Sequence, residues 1–240
     1  FAIVGDQLVV NGAIDFEQGT PLAITVRVTD SDFETFDEIF PIAVTDVDGV
    51  TIKGSSKNDT IHGTKSVKGQ PKATIEEDII SGKAGNDKIS SLGGNDTVNG
   101  GAGNDRINGG DGNDLLKGST GNDRLAGGLG TDTLLGNSGA DNFIFALGDS
   151  TTAAPDTIAD FKHSQLDKID LHLIDANSGL AGDQKFHFIG NNAAFTGQAG
   201  ELRYDAVNHK LEGDIDGVGG ADFAIILNNV NHLVKGDFIL

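Results

Sequence analysis

The sequence predicts an all-β protein with a stack of short repeats at its centre, and three observations carry that prediction. An aspartate returns every nine residues from Asp78 to Asp141, an apolar side chain follows each of them two positions later, and 35 of the 240 residues are glycine. Glycine at this density supplies tight turns and argues against long helices. Three parts are expected: a partial β-sandwich over residues 1–49, the repeat array over 50–144, and a β-rich C-terminal region over 145–240.

In the first part the apolar residues alternate, as in Ala23-Ile24-Thr25-Val26-Arg27-Val28, with Gly- or Asp-rich turns between the runs. That is the pattern of an antiparallel sheet with one buried face. The stretch GDQLVVNGAIDFEQG, followed by VTDSD and VTDVDG, resembles the second half of a cadherin-type repeat. The resemblance implies calcium ligands at Glu17, Asp30, Asp32, Asp46 and Asp48; the opposing reading is a sandwich fragment with acidic loops.

From Gly54 onward a period of nine sets in. Asp78, Asp87, Asp96, Asp105, Asp114, Asp123, Asp132 and Asp141 are followed by Ile80, Ile89, Val98, Ile107, Leu116, Leu125, Leu134 and Phe143. An outlying copy, GSSKNDTIH, places Asp59 and Ile61 in the same relation, and residues 63–72 read as a looped insertion. Each repeat divides into a six-residue loop, such as Gly100 to Asp105, and a three-residue extended piece, such as Arg106-Ile107-Asn108. Because strand residues alternate in facing, the central apolar residue points inward and its neighbours point to solvent. The resulting core is one side chain wide per repeat.

GGAGNDRIN, GGDGNDLLK and GGLGTDTLL fit GGxGxDxUx at every specified position. GKAGNDKIS, SLGGNDTVN, GSTGNDRLA and GNSGADNFI each slip within the first two. The array is similar to the RTX, or hemolysin-type, calcium-binding repeat. That resemblance implies a parallel β-roll in which two repeats make one coil, so that neighbours in space are eighteen residues apart. One edge would carry Asp78, Asp96, Asp114 and Asp132, the other Asp87, Asp105, Asp123 and Asp141, with Asp59 in the outlying copy.

It also implies calcium held between stacked loops by these carboxylates and by backbone carbonyls of the first four loop positions. In this sequence those are Gly82, Ala84 and Gly85; Gly93 and Gly94; Gly100, Gly101, Ala102 and Gly103; and Gly109, Gly110, Asp111 and Gly112. The later repeats contribute Gly118, Ser119, Thr120 and Gly121; Gly127, Gly128, Leu129 and Gly130; and Gly136, Ser138 and Gly139. The loop before Asp78 has no glycine, which lowers the expected number of ions to roughly five or six.

Such chemistry suits calcium, which takes about six to eight oxygen ligands in flexible geometry. With strands about 4.8 Å apart, an aspartate ladder without metal costs on the order of 3 kcal/mol per neighbouring pair at an effective dielectric near 20. A thin core under that repulsion is expected to fold only with calcium.

The segment from about Ala140 to Leu240 resembles the C-terminal domain of serralysin-type secreted metalloproteases, which in that family caps the roll. Its last residues, Asp237-Phe238-Ile239-Leu240, resemble the uncleaved signal read by type I secretion machinery. The run from Asp214 to Asp222, DIDGVGGAD, reads either as a short calcium loop or as a tight turn with spare carboxylates. Asp160, Asp167 and Asp170 read either as ligands of an extra ion or as solvated edge residues.

Composition narrows the function. A formal charge of -19, from 17 basic and 36 acidic residues, argues against a nucleic-acid partner and favours cations. With no cysteine, disulfides and thiolate zinc sites are excluded, and six histidines lie scattered without ligand spacing. No apolar run approaches a membrane span. The chain opens on Phe1 and not on Met, so sequence upstream is expected. HExxH and GxSxG are both absent, and the GxG pairs lack the dinucleotide fingerprint. The expectation is a noncatalytic, calcium-folded part of a secreted, extracellular protein. The alternative is a surface adhesin or a binder of acidic polysaccharide.

Overall fold

The structure, a computed structural model, describes residues 49–240 throughout, and before them only the backbone of four strands. These are β1 (Ala2–Val4), β2 (Gln7–Val9), β3 (Leu22–Thr29) and β4 (Thr35–Ile42), in two antiparallel pairs, β1 with β2 and β3 with β4. Glu17, Asp30, Asp32, Asp46 and Asp48, the cadherin-like acidic positions, lie outside the described residues. By contact the chain forms two compact units, Phe1–Asp48 and Gly49–Leu240.

The second unit begins with β5 (Thr51–Lys53) and β6 (Thr60–Ile61). The repeats follow as β7 (Ile79–Ala84), β8 (Lys88–Gly93), β9 (Thr97–Ala102), β10 (Arg106–Asp111), β11 (Leu115–Thr120), β12 (Arg124–Leu129), β13 (Thr133–Ser138) and β14 (Asn142–Ala146). After them come β15 (Asp156–Ile158), β16 (Lys168–Leu173), β17 (His187–Asn191), β18 (Glu201–Asp205), β19 (Lys210–Asp214), β20 (Phe223–Leu227) and β21 (Phe238–Ile239).

Successive repeat strands alternate between two parallel sheets, the defining feature of a parallel β-roll. One sheet runs β21-β16-β14-β12-β10-β8-β6; the other runs β17-β18-β19-β20-β15-β13-β11-β9-β7-β5. Register follows the eighteen-residue coil: Ile107 sits beside Ile89 and Leu125, and Leu116 beside Val98 and Leu134.

The core is a double column of single side chains. Ile52, Ile80, Val98, Leu116, Leu134 and Ile158 face inward from one sheet, and Ile61, Ile89, Ile107, Leu125, Phe143 and Ile169 from the other, all buried. Full burial of one such side chain contributes about 1.5–3 kcal/mol.

The extended pieces are longer than the sequence suggested. Each full repeat strand has six residues, because the chain stays in the ladder through the first three positions that sequence alone assigns to the loop. The bend inside that strand falls at a left-handed residue, Gly110 at φ 114° in β10 and Ser119 at φ 84° in β11. Only three residues, such as Gly112-Asn113-Asp114, remain as the turn between strands.

The C-terminal region continues both sheets. β15 adds in parallel to β13 and β16 to β14, while β18, β19 and β20 are antiparallel to one another and β20 joins β15 in parallel. The last strand, β21, pairs in parallel with β16, placing Phe238 beside Ile169. Tyr204, fully buried, donates its hydroxyl to the Val230 carbonyl at 2.6 Å. Among the described residues no helix is long and apolar enough to cross a membrane.

Candidate functional site

Each repeat aspartate sits at the end of a turn, directly before a strand, and turns its carboxylate inward beneath the bend. From Asp96 to Asp141 its Oδ1 accepts the backbone N–H of the aspartate eighteen residues earlier, and Oδ1 of Asp87 accepts that of Asp59, 28 residues earlier. Asp78 donates to Asp96, Asp87 to Asp105, Asp96 to Asp114, Asp105 to Asp123, Asp114 to Asp132 and Asp123 to Asp141, at 2.6–2.8 Å. Two continuous chains of carboxylates result, one along each edge, divided as the eighteen-residue coil requires.

The second oxygen has no partner. Oδ2 of Asp87, Asp96, Asp105, Asp114, Asp123, Asp132 and Asp141 is buried and makes no hydrogen bond. A buried carboxylate oxygen left unpaired costs several kcal/mol in ordinary circumstances. The repeated glycine explains how it fits: a Cβ at Gly109 would lie 2.0 Å from Asp114 Oδ2, and one at Gly100 2.3 Å from Asp105 Oδ2. Gly82, Gly118, Gly127 and Gly136 stand in the same relation to Asp87, Asp123, Asp132 and Asp141. Ser91 replaces this glycine before Asp96 and turns its hydroxyl onto the Gly109 carbonyl at 2.9 Å.

The remaining loop positions build the turn around the carboxylate. Gly85, Gly103, Gly112, Gly121, Gly130 and Gly139 take φ between 114° and 140°, and Gly94 takes φ 94°. The N–H groups of Gly85, Gly103, Gly112 and Gly121 donate to the carbonyls of Ala102, Thr120, Leu129 and Ser138 at 2.8–2.9 Å. Ala84 and Asp111 end β7 and β10, Gly93 ends β8, and Gly101, Gly110 and Gly128 occupy the left-handed bend.

Electrostatics match the geometry. Burial pushes the carboxyls of Asp114 and Asp123 up to about 7 and those of Asp87, Asp96, Asp132 and Asp141 up to about 6. The accepted backbone N–H opposes the rise, and neighbouring carboxylates add to it, as Asp132, Asp96 and Asp111 do at Asp114. Asp105 is also raised by burial. In the folded chain the charged form of these groups is therefore disfavoured unless a cation stands beside them.

Not every sequence-derived aspartate shares this state. Asp59 accepts from the Ser55 N–H and hydroxyl, and Asp78 from Val50, the Thr74 N–H and the Thr74 hydroxyl, so both are satisfied by their own surroundings. Conversely, the structure adds Asp156. Its Oδ1 accepts the Asp132 N–H at 2.8 Å, its Oδ2 is buried and unpaired, and burial pushes its carboxyl up to about 8. Asp156 extends one edge by a position that the nine-residue period misses, although Asp156-Thr157-Ile158 keeps the repeat's signature of aspartate, any residue, apolar residue.

The other edge ends differently. Asp167 accepts from Asp141 at 3.1 Å and from the Lys162 N–H at 2.8 Å, which uses both oxygens. Asp160 binds the Gly136 and Asn137 N–H groups, and Asp170 faces Arg124 at 3.8 Å and pairs with His172. Asp214, Asp216 and Asp222 bring carboxylate oxygens within 4.8 Å of one another, while Gly217 and Ile215 donate to Asp214 and Asp222 at 2.6 Å each. Asp237, in the expected secretion segment, is buried and bound by the Val234 N–H and by His163 Nδ1, at 2.6 and 2.8 Å.

The unpaired, buried oxygens and the all-oxygen donor set fit a hard divalent cation such as calcium. The residues that would hold it are the aspartates with an unpaired Oδ2, with carbonyls of the adjoining bends.

Comparison with known proteins bears on the same segment. A solution structure of the AlgE6R3 subunit from the Azotobacter vinelandii Mannuronan C5-epimerase is 21% identical, with 82% of this chain and 86% of that chain covered and a TM-score of 0.30. The AlgE6R2 subunit of the same epimerase is 25% identical, with 79% and 92% covered and a TM-score of 0.35. No curated protein matches the chain. A family model described as Peptidase M10 serralysin C terminal matches residues 57–240, which takes in the whole repeat array from Asp59 onward and everything after it. The chain therefore belongs to the serralysin C-terminal family of the M10 peptidases.

Proposed function

We propose that residues 50–144 form a calcium-binding roll that folds when the ion binds, and that residues 145–240 extend and close it. The whole is a noncatalytic part of a secreted bacterial protein. The observation that carries this reading is the line of buried, unpaired Oδ2 atoms from Asp87 to Asp156. Calcium would supply the missing partner for these oxygens and cancel their charge, so binding energy and folding energy become one quantity. Roughly five or six ions are expected from the number of stacked loops of full composition.

A chain that stays unfolded at cytoplasmic calcium and folds outside the cell suits export through a type I channel. In this reading the segment ending Asp237-Phe238-Ile239-Leu240 is recognised before folding, and calcium then draws β21 into the sheet beside β16. Export is tested by fusing residues 50–240 to a passenger and removing the last six residues. The fusion is expected to leave the cell and the truncated form to stay inside; equal export of both would sink the secretion role. Native mass spectrometry of the full chain in calcium, counting bound ions, tests the metal stoichiometry.

A further inference from the structure

Among the described residues, asparagine is followed by glycine at two places, Asn99-Gly100 in β9 and Asn108-Gly109 in β10. Both asparagines are exposed and both glycines are buried. The asparagine position is permissive. Its ladder neighbours are Ser81 and Lys117 for Asn99, and Ser90 and Ala126 for Asn108. The glycine position is not. A Cβ at Gly100 would lie 2.3 Å from Asp105 Oδ2, and one at Gly109 2.0 Å from Asp114 Oδ2 and 2.6 Å from the Gly127 carbonyl oxygen.

An asparagine before glycine is prone to lose its side-chain amide, because the next residue has no side chain to shield the main-chain nitrogen. The Gly100 nitrogen attacks Asn99 Cγ. A C–N bond forms and closes a five-membered succinimide, and the side-chain nitrogen leaves as ammonia with the proton of the glycine amide. Water then opens the ring at either carbonyl, leaving aspartate or isoaspartate, with no oxidant or reductant involved. Ring closure needs the chain folded back until the nitrogen meets Cγ. In a parallel strand ψ stays at about +115°, which holds the two apart. Asn99 is restrained further in the roll, since its Oδ1 accepts the Ser119 hydroxyl at 2.9 Å.

We propose that Asn99 and Asn108 are deamidation sites, open while the chain is metal-free and closed once the roll is folded, so that calcium sets the chemical lifetime of the chain. This rests on the calcium-folded reading. The damage falls on the metal sites. Isoaspartate inserts a methylene into the main chain directly before Gly100 or Gly109, the glycines whose bare Cα leaves room for Oδ2 of Asp105 and Asp114. The ladder matches Asn108 to Ala126 and Gly110 to Gly128, and an added main-chain atom breaks that register. Aspartate keeps the register and adds charge to a chain already at -19. A molecule that waits unfolded therefore loses its capacity to fold, and one that folds promptly keeps it.

Peptide mapping of the full chain by mass spectrometry, after incubation at neutral pH in chelator or in millimolar calcium, tests the proposal, with circular dichroism recorded on the same samples. Deamidation at Asn99 and Asn108 is expected to run at least about tenfold faster in chelator, since the reaction proceeds from the opened chain. Asn104 and Asn122, each followed by aspartate, are expected to keep their amides. Aged wild type returned to calcium is expected to regain less β signal, in proportion to the isoaspartate formed. An N99S/N108S variant aged alongside is expected to recover in full; serine already stands beside both positions, at Ser81 and Ser90. Equal rates in chelator and in calcium, from a chain that the dichroism shows unfolded in one and folded in the other, would overturn the proposal. So would full recovery of deamidated wild type, or equal loss from N99S/N108S. A chain that is folded in chelator and protected there would instead count against the reading beneath it.

Discussion

Asp105 donates its backbone N–H to Oδ1 of Asp123 at 2.8 Å, and Oδ2 of Asp123 is left buried with no partner. The same carboxylate is thus half committed to the roll and half open to a cation. Asp123→Asn separates the two halves, because the amide keeps an acceptor for Asp105 but carries no charge and turns a donor toward the open side. The calcium concentration at the folding midpoint is expected to rise by about tenfold. Titration followed by circular dichroism measures it, and an unchanged midpoint would place the ion elsewhere.

Gly109→Ala tests why the glycine is there. The added methyl would lie 2.0 Å from Asp114 Oδ2 and 2.6 Å from the Gly127 carbonyl. Overpacking of this kind costs about 1–3 kcal/mol, on atoms that the metal also needs. The variant is expected to require more calcium and to bind fewer ions by mass spectrometry.

Protons should substitute in part for calcium. The carboxyls of Asp87, Asp96, Asp114, Asp123, Asp132, Asp141 and Asp156 lie at about 6 to 8 in the folded chain against an ordinary 3.8. Between those values the folded chain holds more protons than the unfolded one, so stability of the metal-free roll falls as pH rises. That contribution is fully present below about pH 3.8 and lost as pH passes through about 6 to 8. In chelator, β content at about pH 5 is therefore expected to exceed that at about pH 8, and calcium affinity to rise with pH. The opposite trend would show that these groups are not the ones that oppose folding.

The slipped repeats make a smaller prediction. Lys83 takes φ 75° at the bend where Gly101 and Gly110 stand in complete repeats. A non-glycine residue there costs about 1–2 kcal/mol, and glycine's extra chain entropy offsets about 0.5–1 of it. Lys83→Gly is expected to stabilise the calcium-bound roll by about 0.5–1 kcal/mol in thermal unfolding.

Much of this was legible in the sequence because the physics repeats. A fixed interval between aspartate and apolar residue dictates both the stacked core, Val98 on Leu116 on Leu134, and the division of carboxylates between two edges. The six-residue strands were not legible, since the glycines that keep the chain in the ladder through Asp111 look in sequence like a loop. Asp156 was missed because it follows Asp141 by 15 positions and not by nine, and only the pairing of β15 with β13 restores the stack. The satisfied state of Asp59 and Asp78 depends on Ser55 and Thr74, which no repeat pattern marks.

Tyr204, the single tyrosine of a chain without tryptophan, is buried in the C-terminal part of the second unit. Its fluorescence reports on that part while far-ultraviolet circular dichroism reports on the strands. Both are to be recorded on the full chain at neutral pH, first in chelator and then through millimolar calcium. Dependence of the roll on the metal predicts a cooperative gain of β signal with a parallel change at Tyr204; the same spectra in chelator and in calcium would contradict it.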